Sequence, residues 1–120
     1  MKANWMTIHV KDLEVSKTFY VDYLGMELER EFSPDGERTI AFLKAGDGFE
    51  IELMQHKDPA MAAVCKGVSL GITCSNYEEL LETAEKRSMI TMGPMVVGGH
   101  LHCFFVSDPD GVGIQILKEA

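Results

Sequence analysis

Phe42-Leu43-Lys44-Ala45-Gly46-Asp47-Gly48-Phe49-Glu50-Ile51-Glu52-Leu53 decides the fold of this chain, because its pattern occurs twice. It returns 63 positions later as Phe105-Val106-Ser107-Asp108-Pro109-Asp110-Gly111-Val112-Gly113-Ile114-Gln115-Ile116. In each copy a strand runs into a turn built on Asp-Gly, and an alternating strand follows. Asp-Gly tolerates the positive φ of tight turns, so both segments read as β-hairpins. The offset is about half of the chain, which points to two similar modules rather than a long repeat array. Glu52 in the first copy matches Gln115 in the second.

Working outward, Trp5–Val10 alternates as a strand, with Met6, Ile8 and Val10 on one face and Trp5, Thr7 and His9 on the other. Asp12 is placed to cap a helix running through Ser16–Leu24, with Val15, Phe19 and Tyr23 as its buried stripe and Gly25 as its stop. Met26–Phe32 reads as a strand and Ser33-Pro34-Asp35-Gly36 as a turn; Arg38–Lys44 and Phe49–Gln55 form the first hairpin. Module one is therefore β-α-β-β-β. The second module repeats the order from Val68, with a helix capped by Ser75 or Asn76 and ending at Lys86. A short strand at Met95–Val97 follows, flanked by Gly93-Pro94 and Gly98-Gly99. Leu101–Ser107 and Gly113–Lys118 complete it. The chain is expected to be a single domain over residues 1–120, with module one at 1–56 and module two at 67–120.

Composition narrows the functions. An apolar fraction of 46% with 25% charged residues fits a globular protein. No apolar run reaches the roughly 18–20 residues of a membrane span, and the N-terminus lacks an apolar signal core, so no membrane partner and a cytoplasmic location are expected. Cys65, Cys74 and Cys103 form an odd, widely spaced set better read as reduced thiols than as a disulfide framework. Nineteen acids against eleven bases give a formal charge of −8, which argues against nucleic acid as a partner. There is no Gly-rich phosphate loop, serine nucleophile elbow or zinc-protease helix motif.

Val10-Lys11-Asp12-Leu13, Ser16 to Phe19-Tyr20, Tyr23-Leu24-Gly25-Met26 and the closing Phe105–Gly111 segment together resemble the vicinal oxygen chelate superfamily. That superfamily includes glyoxalase I, extradiol dioxygenases, and fosfomycin and bleomycin resistance proteins. The resemblance covers essentially the whole chain. It implies an α+β fold of two βαβββ modules, a curled mixed sheet around a cleft with helices on the outer face. It also implies a homodimer. Family enzymes hold one divalent metal through His or Glu from the first and last strand of each module, leaving open positions for substrate oxygens. Carried onto this sequence, those positions fall on Trp5, Glu52, Gly67 (Val68 if the register slips) and Gln115. Only one carboxylate is kept, so no metal and no cofactor are expected there. A divalent ion remains the lesser alternative.

His9 and His56 each lie four residues beyond an expected ligand position, roughly 13 Å along a strand at about 3.3 Å per residue. The first and last strands of a module are parallel neighbours in this fold, which would bring the two histidines together at the cleft mouth. His100 and His102 follow Gly98-Gly99, within reach of a bound ligand. The cleft face then offers Trp5, Thr7, His9, Glu50, Met54, Ser69, His102 and Gln115 as ligand-binding residues. Trp5 would stack on a planar group, and Glu52 would balance a cation or act as acid or base. The function expected first is a metal-independent small-molecule binding protein of the bleomycin-resistance type, taking an aromatic or cationic organic ligand. The alternative is a glyoxalase I-like lyase or isomerase with a degenerate or relocated metal site.

Overall fold

The computed structural model describes all 120 residues, which divide into two compact units, Met1–Val64 and Cys65–Ala120. Each unit is a βαβββ module with a four-stranded mixed sheet, and neither sheet closes on itself.

In the first unit, β1 (Trp5–Val10) lies parallel to β4 (Glu50–His56). Strand β4 pairs antiparallel with β3 (Arg38–Lys44), which pairs with β2 (Glu27–Phe32) at the edge. One sheet face is apolar by alternation: Ile8, Val10, Leu43, Ile51 and Leu53 are all buried. Helix α1 (Leu13–Lys17) covers that face. Asp12 caps it by accepting from the amides of Glu14 and Val15, the kind of bond whose loss costs about 1 kcal/mol. Gln55, on the helix-facing side of β4, accepts from the Leu13 amide at 2.6 Å and ties the start of the helix to the sheet.

The helix departs from the spacing expected of it. After Lys17 it widens into a π-helical turn over Thr18–Tyr23, in which the Leu24 amide reaches back to the Phe19 carbonyl. The wider turn re-aims the buried stripe, which runs through Leu13, Ser16, Phe19 and Tyr20. Val15, expected inside, is exposed, and Tyr23 is half-buried. Gly25 ends the helix at φ 80°, and the Met26 amide then closes on the Tyr20 carbonyl.

The second unit repeats the order with β5 (Ser69–Cys74), α2 (Tyr77–Lys86), β6 (Ile90–Val97), β7 (Leu101–Ser107) and β8 (Gly113–Lys118). The sheet runs β5-β8-β7-β6, with β5 and β8 parallel. Helix α2 packs on the apolar face through Tyr77, whose ring meets Phe104 at 5.4 Å. Strand β6 is longer than its sequence suggested. Gly93-Pro94 lies inside it, where the pairing with β7 is irregular, and an edge strand accommodates a proline that lacks a ladder donor.

The repeated segment holds its register. Phe42 stands opposite Glu52 as Phe105 stands opposite Gln115. Both hairpin loops span five residues and close with the same bond, Ala45 N–H to the Phe49 carbonyl and Asp108 N–H to the Val112 carbonyl. No helix is long and apolar enough to cross a membrane.

Candidate functional site

Alternation places a polar and aromatic set on the first unit's sheet face away from α1. Strand pairing sets Trp5 beside Glu50, Thr7 beside Glu52 and His9 beside Met54. Glu52 is only 8% exposed, flanked by Thr7 on one side and Phe42 on the other. The Thr7 hydroxyl donates to the Glu52 side chain at Oε1, which satisfies one oxygen of this nearly buried group.

Trp5 is half exposed and meets Phe42 edge-on, with ring centroids 5.6 Å apart. Phe32 from the edge strand lies parallel to Phe42 at 6.3 Å. The Arg30 guanidinium sits 4.0 Å above the Phe42 ring and reaches Glu50 at 3.3 Å and Glu29 at 3.5 Å. A stacked guanidinium held between carboxylates is a cation already in place on this aromatic surface. The neighbouring Glu29 carboxyl is pushed above its usual range, first by its hydrogen bond to Glu50 and then by desolvation and that residue's charge. A hollow of about 350 Å³ opens beside Trp5, at the β3–β4 turn, bordered by Lys2, Lys44, Glu29, Asp47 and Glu50.

Farther along the same face His9 and His56 meet. His9 Nδ1 lies 3.0 Å from His56 Nε2, and the rings stack with centroids 5.1 Å apart. Met54 is buried in a cluster with Ile40 and Phe42.

The matching face of the second unit is emptier. Ser69 stands beside Gly113, and Gly71 beside Gln115. The counterpart of Trp5 is therefore Ser69, not Gly67, which precedes β5. Gln115 donates through Nε2 to the buried Cys103 Sγ at 3.5 Å. A Cβ on Gly71 would lie 3.6 Å from Leu117 Cδ1 and 3.8 Å from the Gln115 carboxamide oxygen, ordinary contact distances. His102 does not join this set. It alternates with Phe104 on β7 and so shares the opposite, helix-bearing face, because Cys103 and Phe105 are the residues paired with Leu117 and Gln115. His100 is taken up by its own turn, Nδ1 lying 2.9 Å from the Gly98 carbonyl. Burial pushes the Cys65 and Cys74 thiols up, which disfavours the thiolate a nucleophile needs.

The sequence reading missed Phe42, Phe32 and Arg30 as part of the site. Phe42 opens the repeated segment, and Arg30 and Phe32 alternate along β2, but it is the pairing of β2 with β3 that brings the three together. The divalent ion implied by the resemblance would need donors at four positions. This chain supplies an indole at Trp5, the Glu52 carboxylate, only a neutral hydroxyl at Ser69, and a carboxamide at Gln115 whose amide is hydrogen-bonded to a thiol. The residues do not fit that ion, and no three His, Cys, Asp or Glu side chains gather elsewhere.

This fold and its paired last strands recur in known proteins. The chain matches the family model described as the Glyoxalase/Bleomycin resistance protein/Dioxygenase superfamily over residues 2–116. A probable lactoylglutathione lyase of Vibrio cholerae serotype O1 is 32% identical over 92% of this chain and 86% of its own length. The trypanothione-dependent glyoxalase I of Leishmania major superposes with a TM-score of 0.79 at 26% identity, covering 99% of this chain and 87% of that one. The antibiotic-binding protein TnmS3 from a Streptomyces species, at 20% identity and a TM-score of 0.76 over 100% of this chain and 97% of that one, shares the fold. The chain belongs to the glyoxalase/bleomycin resistance protein/dioxygenase superfamily. Members of that superfamily bind small-molecule ligands.

Proposed function

We propose that this protein is a glyoxalase I-like lyase or isomerase whose working carboxylate is Glu52. The relatives named lactoylglutathione lyase support this reading over the binding protein expected first, since they align along 92% of the chain. The observation that carries it is Glu52 itself, a nearly buried carboxylate with Thr7 on Oε1 and aromatic rings beside it. Lactoylglutathione is a thioester; making it from an oxoaldehyde–thiol adduct moves a hydrogen between adjacent carbons. Glu52 Oε2 would take the proton from the adduct carbon next to the carbonyl and return it to the former carbonyl carbon. The adduct's hydroxyl proton would pass to the former carbonyl oxygen and leave the thioester C=O behind. A general-base role of this kind is worth about 10²–10⁴-fold. Thr7 would hold the carboxylate in position, and Trp5 would cover the substrate. The other donors of the family's metal site are missing, so the chemistry would fall to this carboxylate and its neighbours.

A second reading rests on a separate observation. The Trp5–Phe42–Phe32 surface with Arg30 and Glu50 suits binding a planar organic ligand without turnover. A cytoplasmic homodimer belongs to both readings.

The test is to mix glutathione with a small 2-oxoaldehyde and follow thioester formation in wild-type protein and Glu52→Gln. Turnover that falls at least about 100-fold in the variant is the expected result. Absence of turnover, with an aromatic ligand still quenching the single tryptophan, would leave the binding protein.

A further inference from the structure

His9 and His56 are not used by either reading, and their arrangement is specific. They sit on the same face of neighbouring parallel strands, His9 beside Met54 and His56 two residues farther along β4. His9 is exposed and His56 half-buried, so both are open to an ion from solution. Each imidazole has the other as its polar partner, with Nδ1 and Nε2 3.0 Å apart. No carboxylate engages either ring, and no ion pair includes them.

We propose that His9 and His56 form a two-imidazole site for a borderline first-row divalent ion such as Zn²⁺, Ni²⁺ or Cu²⁺. Imidazole nitrogens bind such ions at about 2.0–2.1 Å, which sets two ligands at a right angle about 2.9 Å apart and two at the tetrahedral angle about 3.4 Å apart. The observed 3.0 Å lies between these limits. Binding converts the N–H···N contact into two lone pairs aimed at one ion, by placing the remaining ring protons on His9 Nε2 and His56 Nδ1. Arg38, opposite His56 on β3, is the cation that would oppose an ion, but it is held by Asp35 at 3.0 Å. The net charge of −8 favours cation approach. With two protein ligands the ion keeps water in its other positions, so the site binds more weakly than a structural zinc and stays open to an oxygen-bearing ligand. It is separate from the family's metal position, and it stands on this geometry rather than on the role of Glu52.

Calorimetric titration of untagged, chelator-treated protein with Ni²⁺, Zn²⁺ and Cu²⁺ tests it, using wild type, His9→Gln, His56→Gln and Glu52→Gln. One ion per chain is expected, with affinity at least tenfold weaker in either histidine variant and unchanged in Glu52→Gln. A wild-type readout guards against a misfolded variant: Ni²⁺ should broaden the ring resonances of His9 and His56 at lower concentration than those of His100 and His102. No binding up to millimolar ion, or binding unaffected by both histidine substitutions, overturns the site. So does binding weakened only by Glu52→Gln. Thioester formation by the ion-free protein is read separately, so loss of this site and loss of the Glu52 reading are different results.

Discussion

The face of β1 and β4 and the face of β5 and β8 are built on the same register and hold different chemistry. Thr7, Glu52 and Phe42 occupy one set of paired positions; Gly71, Gln115 and Phe105 occupy the equivalent set. The helix-facing residues differ far less. Leu43, Ile51 and Leu53 correspond to Val106, Ile114 and Ile116, and all six are fully buried. Packing thus constrains one side of each strand, where removing a buried aliphatic side chain costs about 2–5 kcal/mol. The other side is left free to change, and the first unit has kept a carboxylate and aromatic surface that the second lacks.

The sharpest way to break this comparison is to exchange the paired positions. Glu52→Gln should lower turnover at least about 100-fold, whereas Gln115→Ala should change it less than about threefold, measured as kcat/KM on one substrate. Equal losses would overturn the assignment of the chemistry to the first unit's face. The next effect concerns stability. Asp108 fixes the second hairpin by accepting from the Asp110 and Val112 amides at 2.9 and 2.8 Å, while Ala45, at the matching place, offers nothing. Asp108→Ala should therefore destabilise the chain by about 1–3 kcal/mol in denaturant unfolding without touching the first unit's chemistry. A loss below a few tenths would show that the loop closes by its backbone alone.

Two smaller effects follow. Trp5→Ala should weaken binding of an aromatic ligand about tenfold, while Ser69→Ala leaves it unchanged, since one stacking contact is worth about 0.5–1.5 kcal/mol beyond area burial. The smallest concerns Glu29. Its folded-state pKa is raised, so the charged carboxylate is held at a cost above its ordinary titration range and at none below it. Glu29→Gln should raise the melting temperature slightly at pH 7, and the gain should vanish as the pH falls below that range. A gain that persists in acid would point elsewhere.

The fold was legible because the repeated segment carries its own turn chemistry and alternation. β1, β3, β7 and β8 run between the residues that their patterns mark. The interior of α1 was not legible. A π turn has no signature in apolar spacing, and reading 3.6 residues per turn sent Val15 inward and left Leu13 out. Strand β6 was cut short because Gly93-Pro94 looks like a break, and an edge strand needs only one satisfied side. Strand parity put Trp5, Thr7 and Glu52 together on one face of the first sheet and Gln115 on the equivalent face of the second, as the pairings have them. It failed for His102, where reach from a loop was considered and alternation along β7 was not. The guanidinium over Phe42 needed β2 to be laid beside β3, a pairing that residue spacing does not encode.

Gly71 has a meaning beyond the missing side chain. The room beside it accepts a Cβ without displacing Leu117 or Gln115. A threonine there with a glutamate at 115 would copy the Thr7–Glu52 pair onto the second sheet. The chain therefore stands two amino-acid changes from having a matched threonine–glutamate pair in each half. Its second half is a surface on which selection, or a designer, could write a second carboxylate site without altering the residues of the first.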